Sequence, residues 1–89
     1  EKQQSEYNFQ LANVSFMKIQ FEQAEEQSSN LIKNNLTIPA YEQCIKASHL
    51  FNLLDARGVL SVLERAAYIK RVRTLAKLCC ELYLKEGEN

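Results

Sequence analysis

The chain has 89 residues, 46% of them hydrophobic and 25% charged, and its eleven cations balance eleven anions. That length holds one small domain near the lower limit of independent folding, and the composition is that of a globular chain rather than a disordered one. A net charge of zero supplies no overall field to select nucleic acid or an anionic membrane, and two glycines and one proline are too few turn formers for an all-β fold.

Residues 1–13 are polar with two scattered aromatics, Tyr7 and Phe9, and are expected as an extended or loosely ordered lead-in to a helical domain over 14–89. The first helix is placed at about 14–34. Asn13 or Ser15 is a suitable N-cap, and Met17, Phe21, Ala24, Ser28 and Leu31 recur at alternating spacings of four and three along one face. Phe16, Ile19 and Ile32 widen that face, while Glu22, Glu25, Glu26 and Gln27 lie mostly outside it. Asn34-Asn35-Leu36 ends the run.

The second helix is predicted over 39–56. Pro39 suits the first helical position, where its missing N–H is not needed, with Thr37 or Ile38 just before it. Tyr41, Cys44 or Ile45, Ser48, Phe51 and Leu54 then share one side, and Gly58 is the natural left-handed stop. Ser61-Val62-Leu63-Glu64 matches the S-x-x-E capping box, which opens a third and longest helix at about 62–85. Its apolar stripe is Tyr68, Val72, Leu75, Cys79 and Leu82, with Lys70, Arg73 and Lys77 opposite. The chain ends in the solvated "KEGEN". The fold class is therefore all-α, a small bundle of about three helices, antiparallel because the connections are short. Tyr41, Tyr68 and Tyr83 are expected in the core or at its edge.

Asp55 is an oddity in this plan. A carboxylate near a helix C-terminus faces the negative pole of the helix dipole, which costs a few tenths of a kcal/mol. It lies at the joint between the second and third helices, near the unpaired N–H groups that open the third. A clamp built from Asp55, Arg57, Ser61 and Glu64 is the expectation, with Arg57, Arg65, Arg71 or backbone N–H as the partner of Asp55.

Charge is unevenly spread. Residues 1–30 carry a net charge of −3 and residues 65–77 a net charge of +5. Such asymmetry implies either an internal match between two helices or a basic surface for a partner. Arg65, Lys70, Arg73 and Lys77 are the candidate contacts for RNA or for an acidic partner. No aromatic residues are interleaved with them.

Signs of catalysis are missing. The sole histidine, His49, reads as a packing or surface residue, and no serine–histidine–aspartate set can be assembled around it. No glycine-rich phosphate loop exists, and the acidic residues do not group into a metal cage. Cys44, Cys79 and Cys80 have neither a disulfide nor a zinc spacing and read as small buried residues in a reducing cytosol. No apolar stretch approaches eighteen residues, so no membrane span is expected. The N-terminus lacks a signal-peptide pattern, and its first residue is not methionine, the mark of a processed chain or an excised domain.

"YNF" at 7–9, the "FEQAEEQ" helix, and "PAYEQCIKASHLFNLLDARGVLSVLERAAYIKRVRTLAK" at 39–77 closely resemble the alpha subunit of bacterial heterotetrameric glycyl-tRNA synthetases. The resemblance covers essentially the whole chain and corresponds to the C-terminal helical region of that subunit. It implies a part of a class II aminoacyl-tRNA synthetase that activates glycine with ATP and magnesium and passes it to the 3′ end of tRNA-Gly. It also implies a beta subunit as partner in an α2β2 tetramer, the catalytic domain of the same subunit as neighbour, and a cytoplasmic location. The class II signature motifs lie upstream of this region, so no catalytic, cofactor-binding or metal residue is carried over, and the fragment alone is expected to be inactive. Two further readings remain open: a stand-alone RNA-binding module working through the basic face, and a protein-docking bundle using Phe16, Ile19 and Ile32. Phe9 and part of the first helix are expected to leave an apolar patch, masked by dimerisation.

Overall fold

Neither glycine nor proline interrupts the first 33 residues, and the chain uses that freedom fully. The computed structural model describes the backbone of residues 2–87 and the side chains of residues 13–87. Three helices follow one another: α1 (Lys2–Lys33), α2 (Thr37–Ala56) and α3 (Val62–Gly87). Residues 2–13, expected as an extended lead-in, are helical instead. Their glutamines, leucine and alanine are good helix formers, and polarity alone does not stop a helix whose next turns are anchored in a core. The Phe9 side chain lies outside the described residues.

α1 ends in a Schellman turn. Asn35 takes the left-handed conformation with φ of 61°, its N–H donates to the Ile32 carbonyl at 3.0 Å, and that of Leu36 donates to the Leu31 carbonyl at 2.9 Å. α2 starts at once with Leu36 as N-cap. Pro39 is therefore the third helical residue, not the first, still within the turn whose N–H groups have no helical acceptor. Gly58, at φ of 67°, follows the end of α2, and its N–H donates to the Asp55 carbonyl at 3.0 Å.

Side-chain contacts fix the register. The Ser28 hydroxyl of α1 donates to the Ala40 carbonyl of α2 at 2.9 Å, so these helices run antiparallel. Asp55 meets Arg65 at one end of the α2–α3 pair, and the Thr37 hydroxyl donates to the Glu86 carboxylate at the other. α3 therefore returns antiparallel to α2 and parallel to α1.

The core contains Met17, Phe21 and Ala24 from α1, Ala40, Cys44, Ala47, Leu50, Phe51 and Leu54 from α2, and Tyr68, Leu75 and Cys79 from α3. Leu82 is buried as well, and Leu31, Ile32 and Val72 are partly buried. On α2 the expected Cys44, Phe51 and Leu54 are buried, but Ala40, Ala47 and Leu50 join them in place of Tyr41 and Ile45. Tyr41 and Ile45 are half exposed, whereas Ala40 and Ala47 are fully buried. The small side chains win because α1 comes close enough for Ser28 to reach the α2 backbone, a separation that a tyrosine would prevent. Phe16 and Ile19 are also half exposed, since Met17 and Phe21 already fill the α1 face. Tyr83, at 68% exposure, belongs to the surface rather than the core edge.

This packing predicts that Ala47→Leu lowers stability by about 1–3 kcal/mol through overpacking, while Ile45→Ala, on the outward row, changes it by less than about 0.5 kcal/mol. Urea unfolding midpoints at constant slope measure both.

Candidate functional site

The cations of α3 divide into two groups according to their partners. Arg71 turns toward α1 and grips Glu25 with two hydrogen bonds, Nη2 to Oε1 at 2.6 Å and Nε to Oε2 at 2.8 Å. Its guanidinium also lies over two rings, 4.8 Å from the centroid of Phe21 and 5.1 Å from that of Tyr68. Those rings meet edge to face at 4.7 Å, and Phe51 stacks on Tyr68 at 6.1 Å. The Glu25 carboxylate raises the pKa of Arg71 against the opposing effect of burial. A planar fork that pairs bidentately and stacks at once is a role for arginine that lysine cannot fill.

A second cross-connection joins Lys18 of α1 to Glu64 of α3 at 3.1 Å. Glu64 does double duty. Its carboxylate accepts from the Ser61 N–H at 3.0 Å, and the Ser61 hydroxyl accepts from the Glu64 N–H at 3.1 Å, which completes the reciprocal cap. The Ser61 backbone N–H first, and the Lys18 ammonium next, hold the Glu64 carboxyl below the ordinary glutamate range.

Asp55 pairs with Arg65, Oδ1 to Nε at 3.0 Å. Both side chains are substantially exposed, so the pair contributes no more than about 1 kcal/mol, enough to offset the dipole penalty at the end of α2. Among the described residues Arg57 makes no side-chain hydrogen bond or ion pair. Of the four residues expected in the clamp, Ser61 and Glu64 bond each other, Asp55 bonds Arg65, and Arg57 stands apart.

Arg65 is therefore occupied. Lys70, Arg73 and Lys77 remain, exposed on the outer side of α3, without an acidic partner among the described residues. They flank a shallow groove floored by Ala66, Ile69 and Thr74. Beyond Lys70 the acidic ridge of Glu22, Glu25 and Glu26 on α1 forms the opposite wall of the α1–α3 groove. The sequence asymmetry thus resolves both ways: Arg71 and Glu25 are an internal match, and three cations are left on the surface.

A different kind of surface lies at the other end of α3. Ile38 and Tyr41 of α2 and Cys80, Tyr83 and Leu84 of α3 line an apolar cleft, with Ile38, Tyr83 and Leu84 each more than 60% exposed. Beneath it, burial pushes the Cys44 and Cys79 thiols up, which keeps them protonated and unreactive near neutral pH, whereas Cys80, expected to be buried with them, is exposed because it falls on the outward side of α3. His49 is exposed. Among the described residues no three metal-ligating side chains gather, and no helix is long and apolar enough to cross a membrane.

Comparison with known proteins gives a consistent result. Residues 1–88 match the family described as "Glycyl-tRNA synthetase alpha subunit". The chain is 51% identical over 85 residues to the glycine–tRNA ligase alpha subunit of Rickettsia akari (strain Hartford), an alignment covering 96% of this chain and 29% of that protein. It is 49% identical over 88 residues to the counterpart from Rickettsia canadensis (strain McKiel), covering 99% of this chain and 31% of the relative. The chain thus spans about 30% of the length of these relatives.

Arg71→Met is expected to cost about 2 kcal/mol, because it strands a half-buried carboxylate, and Ser61→Ala about 1 kcal/mol through loss of the cap; chemical denaturation reads both. Glu64 has a lowered folded-state pKa, so its stabilising effect is present above the ordinary glutamate value and is lost as pH falls through the lowered one. Thermal unfolding followed from neutral to acid pH should show that loss diminished in Glu64→Gln.

Proposed function

Since the chain belongs to the glycyl-tRNA synthetase alpha subunit family, we propose that it acts as the helical accessory domain of a glycine–tRNA ligase. The complete enzyme activates glycine with ATP and magnesium and transfers it to tRNA-Gly, as an α2β2 assembly in the cytoplasm. The observation that carries this reading is the match over residues 1–88.

Neither ATP nor magnesium fits the residues present. The only glycines are Gly58 and Gly87, too few for a phosphate-cradling loop, and the described residues gather no metal-ligand set. Both belong with the remainder of the subunit, and so does the chemistry. This domain contributes surfaces. The apolar cleft of Ile38, Tyr41, Tyr83 and Leu84 packs against the catalytic part of the same subunit. The argument for that occupant is length: relatives carry more than twice as much chain again, and a cleft this apolar is costly to leave in water.

Grafted in place of the matching region of the Rickettsia akari subunit and assembled with the beta subunit, the chain is expected to support tRNA glycylation, while the isolated 89-residue chain gives none. Tyr83→Glu with Leu84→Glu in the graft should cut kcat/KM at least tenfold while leaving the helical circular dichroism of the isolated chain unchanged. A soluble, folded but inactive graft would overturn the proposal.

A further inference from the structure

Once internal pairs are removed, the basic residues of α3 are Lys70, Arg73 and Lys77, with Lys85 standing apart in the last turn, and the geometry of the first three is specific. Lys70, Arg73 and Lys77 follow one another by three and four residues, so they lie on one face of α3 and rise about 10 Å along it at 1.5 Å per residue. All three are exposed, and none is matched by an acid among the described residues. The neighbouring cations differ: Arg65 is bound to Asp55, Arg71 to Glu25 and Lys18 to Glu64.

We propose that Lys70, Arg73 and Lys77 form a track for the phosphate backbone of a single RNA strand. A span of about 10 Å accommodates roughly three phosphates at the axial spacing of a nucleic-acid strand. The groove floor of Ala66, Ile69 and Thr74 offers no aromatic platform for stacking bases, so the track reads charge rather than sequence. Glu22 and Glu26 on the neighbouring α1 ridge have no cation partner among the described residues and repel a second strand, which limits the footprint to one backbone. An acidic protein surface is the competing partner. It would need apolar contact to bind firmly, and the large exposed apolar side chains Tyr83, Leu84, Ile38 and Tyr41 line a separate cleft.

The identification of the RNA as tRNA rests on the proposed function above; the track itself rests on the geometry. Titration of the 89-residue chain with a fluorescent tRNA-Gly transcript tests it, with polyglutamate as the second probe. Expected is weak binding that falls roughly 20- to 40-fold between 50 and 200 mM salt, matching three phosphate contacts. Lys70→Glu with Arg73→Glu and Lys77→Glu should abolish it, whereas Arg57→Glu, an exposed cation off the track, should change it less than twofold. Helical circular dichroism of each variant checks that the fold survives. Absence of tRNA binding at low salt, equal loss with Arg57→Glu, or tighter binding of polyglutamate than of tRNA would overturn the track. The glycylation graft separates the two proposals: an inactive graft alongside salt-sensitive RNA binding through these residues removes the enzyme reading and leaves the track, while an active graft alongside no RNA binding does the reverse.

Discussion

The rotation of α3 about its own axis is set by one side chain. Arg71 is bound bidentately to Glu25 and lies over the rings of Phe21 and Tyr68. A helix held at that point has no freedom to roll, because a turn in either direction would break two charge-assisted hydrogen bonds and expose Tyr68. With Arg71 fixed inward, Lys70, Arg73 and Lys77 must point outward. The packing of α3 and the display of its surface cations are thus one constraint seen from two sides.

The bundle that results is unevenly joined. α1 and α2 approach so closely that a serine hydroxyl reaches across to the backbone, and Ser28 and Ala40 at that contact are both small. α3 is held instead by an aromatic cluster in its first half, by ion pairs to both other helices, and by the Thr37–Glu86 hydrogen bond near its end. Surfaces divide in the same manner. The outer flank of α3 is basic, and the far end of the α2–α3 pair is apolar, so two partners can be engaged at once without competing for the same residues.

Much of this was legible in the sequence. The heptad-like stripes of α1 and α3, the Ser61–Glu64 cap and the Gly58 stop depend on local spacing, and local spacing is what a sequence displays. The family resemblance was likewise carried by an uninterrupted string. Other features were not legible. On α2, Cys44, Phe51 and Leu54 lie inward as their spacing implies, but Tyr41 and Ile45 are more hydrophobic than Ala40 and Ala47, and only the proximity of α1 decides between them. The start of α1 is another, because the polar composition of 1–13 suggests an extended or loosely ordered lead-in, although 2–13 contain no residue that stops a helix. The candidate basic face lost Arg65 to Asp55, a partnership across the α2–α3 turn that sequence left open among several, and the role of Arg71 required knowing which face of α1 it would meet.

The small-residue contact has a consequence for divergence. At Ala40, fully buried, added volume has nowhere to go, because the facing Ser28 of α1 is itself small and has little to give up. Larger side chains at either position should therefore be purged. The outward row of Tyr41 and Ile45 bears no such restriction from within the bundle. How far it drifts between species will be set only by whatever covers it, so the pace of substitution on adjacent faces of one helix separates the demands of folding from those of assembly.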